Sequence, residues 1–244
     1  MKKKESFYPE ARFGNFTDID GTIIFYTRVN GLLKPSNIVL DVGCGKSTID
    51  KENIPFRKYL RTIRGKVTKV IGIDIDKDAG VNPYIDEFRL IKNESWPIDD
   101  ESIDLIISDS VLEHIDNPEV FFLEAHRVLK NDGYICLRTP NRWGYVALFA
   151  SLIPNKYHAK ILKFTQGERE EEDVFPTLYK CNSIGKIKKM MKKHDFEYVV
   201  YGYECEPSYL GFSTIAYRIG VLHQKIAPGF LRDTIIAFGK RLSS

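Results

Sequence analysis

Five short apolar runs separated by helix-like stretches fill residues 37–139, and this alternation restricts the fold more than any other feature. Asn37–Val42, Lys69–Ile75, Phe88–Ile91, Ile103–Ser108 and Tyr134–Arg138 have strand lengths, and most carry the branched side chains of buried strands. Phe56–Arg64 reads as an intervening helix. Another opens at Asn117-Pro118-Glu119, with an N-cap Asn, a Pro at the first helical position and an acid in the first turn. Phe121, Phe122, Ala125, Val128 and Leu129 give it an apolar stripe, and Asn131-Asp132-Gly133 reads as the turn that ends it. Strands alternating with helices assemble as a parallel sheet covered on both faces.

The flanks extend this plan. A helix over Thr22–Leu33, capped by Asp20, precedes the first strand. A lysine-rich helix (Ser183–His194), a strand (Glu197–Glu204), a helix (Tyr209–Ile226) and a last strand (Thr234–Phe238) follow the fifth, which predicts an antiparallel addition. The fold expected is α/β: a Rossmann-like, mostly parallel seven-stranded sheet with an antiparallel C-terminal strand, plus a helical cap. One domain spans residues 1–244. Residues 1–36 form an N-terminal helical cap, 37–141 a cofactor-binding core, 142–182 a cap insertion, and 183–244 complete the sheet. With 43% hydrophobic and 28% charged residues, global disorder is excluded.

Charge and cysteine content narrow the function classes. The 36 Lys and Arg against 33 Asp and Glu leave +3, too weak an excess to imply a nucleic-acid partner. Cys44, Cys136, Cys181 and Cys205 form no Cys-x-x-Cys pair, so neither a metal site nor a redox motif is expected. Lys2, Lys3 and Lys4 precede no apolar h-region, and the longest apolar stretch, Trp143–Ile153, falls short of the ~20 residues of a spanning helix. A cytoplasmic protein follows as the expectation. Trp143–Ile153 reads as core or lid, and Lys186, Lys188, Lys189, Lys192 and Lys193 as a solvated helix face. The alternative for both is a peripheral contact at the inner face of the membrane.

The chemistry sits at Val39-Leu40-Asp41-Val42-Gly43-Cys44-Gly45-Lys46-Ser47, a strand running into a glycine turn. Ligands of open α/β sheets bind at such carboxyl ends, and the glycines let backbone approach a ligand closely. A dinucleotide fingerprint needs a third glycine where Thr48 stands. Asp41, two residues before Gly43, would repel a pyrophosphate but suits a ligand with an ammonium group. S-adenosylmethionine carries an ammonium and a sulfonium and no phosphate. Asp74, ending the second apolar run, can accept hydrogen bonds from both ribose hydroxyls. The plainer readings are a tight strand-to-helix turn for the glycines and a turn cap for Asp74. Asp104 reads as a strand-start residue rather than a ligand contact.

Together with Leu112-Glu113-His114-Ile115, Arg127-Val128-Leu129-Lys130-Asn131-Asp132-Gly133 and Thr139-Pro140-Asn141, these residues resemble class I S-adenosylmethionine-dependent methyltransferases over residues 37–141. The flanks are similar to a subgroup associated with bacterial surface-polysaccharide synthesis. The resemblance implies methyl transfer to a small acceptor, a hydroxyl of a sugar or of a nucleotide- or lipid-linked glycan intermediate. It implies cofactor contacts at Asp41, Gly43, Cys44, Gly45, Asp74, Ile75 and Ser108. Asn93 and Glu94 stand in for the acid the family often has where this chain has Lys92. Asp109 and His114 meet the acceptor, either as general base, with a cap or a buried hydrogen-bonded ring as their structural alternatives; His158 is a further candidate. The rival readings are a methyltransferase acting on RNA or protein, a nicotinamide enzyme, and a non-catalytic nucleoside-binding subunit.

Overall fold

The computed structural model describes residues 3–147 and 176–243. Seven strands form one sheet: β1 (Ile38–Val42), β2 (Lys69–Asp74), β3 (Glu87–Leu90), β4 (Ile103–Asp109), β5 (Leu129–Pro140), β6 (Phe196–Tyr203) and β7 (Thr234–Arg241). Their order is β3-β2-β1-β4-β5-β7-β6. β1 to β5 pair in parallel, and β7 runs antiparallel to both β5 and β6. The expected mixed sheet is therefore present, with β7 as its reversed strand.

The helices are α1 (Lys3–Phe7), α2 (Gly21–Leu32), α3 (Pro55–Arg61), α4 (Pro118–Val128), α5 (Ile184–Lys193) and α6 (Thr214–Ile226). Successive β1 side chains explain how two layers form on the sheet. Leu40 and Val42 point into a cluster with Phe122, Ala125 and Val128 of α4 and Ile187 and Met191 of α5. Val39 points the other way, toward Phe25, Tyr26 and Val29 of α2 and Leu60 of α3. The Asp20 carboxylate caps α2 by accepting from the Thr22 and Ile23 amides, both at 3.0 Å.

Several boundaries differ from the sequence expectation. α2 is not only a cap element: Phe25 and Val29 are fully buried against the sheet. Asn131-Asp132-Gly133 does not separate α4 from β5. α4 stops at Val128, the strand starts at Leu129, and residues 130–133 bulge inside it, with Ile103 opposite Leu129 but Leu105 opposite Tyr134. Asp132 takes a left-handed φ of 63° there. Strand β7 continues to Arg241, where the Arg241 guanidinium donates to the Leu129 carbonyl and to Glu101. The helix expected from Tyr209 begins only at Thr214, because Ser213 supplies the side-chain cap. Leu148, Phe149 and His158 lie outside the described residues.

Candidate functional site

β1 and β4 are neighbours, yet the chain leaves β1 toward β2 and returns on the other side at β4. Loops after these two strands diverge and leave a crevice at their carboxyl ends. Asp41, Asp74 and Asp109 all reach this edge, at or near the ends of β1, β2 and β4.

The turn after β1 is held from three sides. Gly43 adopts φ 70° and its amide donates to the Ile73 carbonyl at 2.8 Å. A Cβ at Gly43 would stand 2.4 Å from Val111 Cγ2, so both the dihedral and the space demand glycine. Gly45, at φ 49°, donates its amide to Asp74 Oδ2 at 2.9 Å. Asn82 Nδ2 donates to the carbonyls of Cys44 and Gly45, each at 3.0 Å. Ser47, at φ 71°, accepts from the Ile49 amide and shapes the exit of the turn. Cys44 is buried, and burial and the nearby Asp41 push its thiol up, so it packs rather than reacts.

The three acids differ in what already holds them. Asp74 accepts from Gly45 through one oxygen and from the Asp76 amide at 2.9 Å through the other. A carboxylate has about four acceptor sites, so two remain for ligand hydroxyls. Asp109 is clamped by Arg138, whose Nε and Nη2 each donate at 2.7 Å, and by the Tyr26 hydroxyl at 3.1 Å. Burial would raise the Asp109 pKa, but the Arg138 guanidinium holds it below the usual carboxylate range. Arg138 also donates to Thr22 Oγ1 at 2.9 Å, so α2 braces the pair. Asp41 has no hydrogen-bond partner among the described residues. Burial first, then the charge of Asp109, pushes its pKa up to about 7, against the pull of Arg61.

The remaining candidates lie around these acids. Ile75 follows β2 and is 65% exposed, so its side chain is open to a ligand ring. The Ile91 amide donates to the Asp74 carbonyl at 2.8 Å, which brings the exposed Asn93 and Glu94 loop beside β2. Glu94 accepts from Asn117 Nδ2 at 3.3 Å. Ser108 is buried on the α4 side of β4, and its hydroxyl has no hydrogen-bond partner. His114 closes the turn after β4. Its Nδ1 lies 3.0 Å from the Pro176 carbonyl, and its Nε2 lies 3.9 Å from the Glu113 carboxylate. Asp104 stands apart from the crevice. It accepts from the Ile38 amide at 2.7 Å and from Lys130 at 2.9 Å, a structural role.

Sequence reasoning missed Arg138, Tyr26 and Asn82. Arg138 and Asp109 are 29 residues apart and meet only because β4 and β5 pair in register at those positions. Asn82 carries no motif and reaches the turn from the loop after the Lys77–Val81 helical turn.

Known proteins are similar to this chain in sequence and in fold. The chain matches the family model described as a methyltransferase domain over residues 24–201. An uncharacterized methyltransferase of Schizosaccharomyces pombe is 27% identical over 160 residues, covering 59% of this chain and 53% of that protein. A ubiquinone biosynthesis O-methyltransferase of Bartonella tribocorum is 27% identical over 120 residues, 47% of each chain. The chain thus spans about half the length of these curated relatives. Among solved structures, a SAM-dependent methyltransferase from Archaeoglobus fulgidus superposes with a TM-score of 0.56 at 16% identity, covering 95% of this chain and 97% of that one. One from Thermotoga maritima gives 0.54 at 16% identity, covering 96% and 93%. With the family model matching residues 24–201, most of the chain, this chain belongs to the methyltransferase domain family.

Proposed function

We propose that this chain transfers a methyl group from S-adenosylmethionine to a hydroxyl of a small acceptor. The observation that carries the reading is the unshared Asp41 carboxylate beside a preformed glycine turn, with Asp74 at the next strand end. Asp41 would hold the ligand's ammonium group, and the backbone of Gly43, Cys44 and Gly45 its methionine portion. Asp74 would accept from the ribose hydroxyls on its unused lone pairs, and Ile75, Asn93 and Glu94 would contact the adenine. Ser108 offers its unpaired hydroxyl beneath the crevice.

The bound sulfonium supplies an activated methyl group, so the chain's task is to align a nucleophile with it. Such positioning is worth ~7–11 kcal/mol. The acceptor oxygen forms the new bond to the methyl carbon as the carbon–sulfur bond breaks, and the hydroxyl proton leaves to a base. His114, held by the Pro176 carbonyl at the turn after β4, is that base in this reading. Asp109, committed to Arg138 and Tyr26, shapes the acceptor side of the crevice and keeps the negative charge that favours a sulfonium. The acceptor hydroxyl belongs to a sugar or glycan intermediate, nucleotide- or lipid-linked; the support for this is the similarity of the flanks to surface-polysaccharide methyltransferases.

Thermal unfolding with S-adenosylmethionine, S-adenosylhomocysteine and NAD tests the cofactor. Saturation at ~100 times the dissociation constant stabilises by ~2.7 kcal/mol. For a chain of this size that is a rise of roughly 5–10 °C. Shifts with the two sulfur ligands and none with NAD are expected, and a shift with NAD alone overturns the reading. With an acceptor found by screening sugar-linked compounds, His114→Asn should lower kcat by ~10²–10⁴ while leaving cofactor affinity unchanged. An unchanged kcat removes His114 as the base.

A further inference from the structure

Helix α6 is apolar on two opposite faces, and among the described residues only one of them is packed against others. Tyr217, Gly220 and Val221 are buried, Tyr217 and Val221 against Tyr8 and Ala11 and Gly220 against Pro207 and Leu210. Ile215, Ile219, Leu222 and Ile226 recur at helical spacing on the other side, and they are 72%, 63%, 56% and 69% exposed. At about 100° per residue these four fall within a strip about 60° wide, opposite the buried face. Phe212 and Phe230, 64% and 60% exposed, stand just before and just after the helix. A contiguous exposed apolar strip of this kind marks a binding surface.

The charge around the strip identifies the occupant. Residues 207–232 contain no Asp or Glu, whereas Arg218, Lys225 and Arg232 all lie there. Arg218 and Lys225 are exposed and project about 70–90° to one side of the strip, where long cationic side chains can hold their charge at the level of headgroups. Lys3 adds another cation, anchored by its Nζ on the Gly211 carbonyl at 2.7 Å beside Phe212. No helix among the described residues is long and apolar enough to cross a membrane, so the contact is in the plane of the interface.

We infer that the exposed face of α6, with Phe212 and Phe230, docks this protein on the surface of an anionic lipid bilayer. The inference is independent of the methyl-transfer reading, since the surface needs no cofactor. Its position still matters to the site. α6 connects the end of β6 to the start of β7, at the sheet edge that carries the crevice. The loop after α6 is tied to the end of β5, where Asn141 Nδ2 donates to the carbonyls of Phe230 and Arg232 at 2.8 and 2.7 Å. The docking helix and the crevice thus share one edge of the sheet.

The test is co-sedimentation of the full chain with phosphatidylcholine vesicles, with and without phosphatidylglycerol. Binding to the anionic vesicles is expected, weaker on neutral ones, and reduced at least about tenfold in Ile219→Glu/Leu222→Glu. Both substituted side chains are exposed, so the variant's melting temperature should match the parent's, and Arg218→Glu/Lys225→Glu should selectively lower the preference for anionic vesicles. Failure of the parent to bind either vesicle overturns the inference, whether the face is then found closed by a second copy in sedimentation equilibrium or by residues 148–175 in cross-linking. Vesicle binding that survives in the double Glu variant overturns it as well.

Discussion

Asp41 makes cofactor affinity depend on pH in a direction that can be worked out. Its folded pKa is pushed up to about 7 by burial and by Asp109, well above the ~3.9 of an unfolded chain. An ammonium ligand needs the ionised form, so binding at lower pH must first expel a proton. If the bound carboxylate titrates well below 6, affinity scales with the ionised fraction, about 90% at pH 8 and about 10% at pH 6. The dissociation constant for S-adenosylhomocysteine should then rise about tenfold on going from pH 8 to pH 6, or ~1.4 kcal/mol. Isothermal titration calorimetry in buffers of different ionisation heat should show roughly half a proton released at pH 7. The ligand-free protein has the opposite trend. A raised folded pKa contributes stability that is complete below the unfolded value and is lost as pH rises through about 7. Asp41→Asn should therefore flatten both curves while weakening binding at pH 8. A dissociation constant that is constant between pH 6 and 8, or that falls as pH falls, would refute the assignment of Asp41 to the ammonium.

Other perturbations separate support from chemistry. Arg138→Met leaves the Asp109 carboxylate buried without its cation and should cost about 3–5 kcal/mol, seen as a melting temperature lower by roughly 6–20 °C; adding Asp109→Asn should recover part of it. Gly43→Ala should abolish cofactor binding through the clash with Val111 and ~1–2 kcal/mol of left-handed strain, and Val111→Ala should relieve the clash but not the strain. Asp104→Ala removes the acceptor of the Ile38 amide and the partner of Lys130. It should lower stability by ~1–3 kcal/mol in a denaturant titration without changing cofactor affinity.

The parts of the fold written locally were the parts legible in the chain. β1 and its turn were visible because the apolar run, the acid and the glycines are contiguous, and the Asp20 cap because Ser, Thr, Asp and Asn mark helix starts. The bulge at residues 130–133 was hidden because Asn-Asp-Gly serves equally well to end a helix or to kink a strand, and only the pairing with β4 decides. The Arg138 clamp on Asp109 was hidden for a different reason: it depends on the register of two strands, which no single segment encodes. The two apolar faces of α6 blur its period, so the sequence gives the helix but not which side is left open.

The grip of Asn82 on the glycine turn has a kinetic consequence. With the Cys44 and Gly45 carbonyls fixed by one side chain and the Gly45 amide by Asp74, the turn has its shape before a ligand arrives. Freezing a loose residue costs ~1–2 kcal/mol of backbone entropy, so a turn of three or four residues arrives with about 3–8 kcal/mol already spent in folding. Ordering of this turn should then add no saturating phase to association, whose dependence on ligand concentration it leaves linear. Asn82→Ala moves that ordering into the binding event, and the concentration dependence should bend.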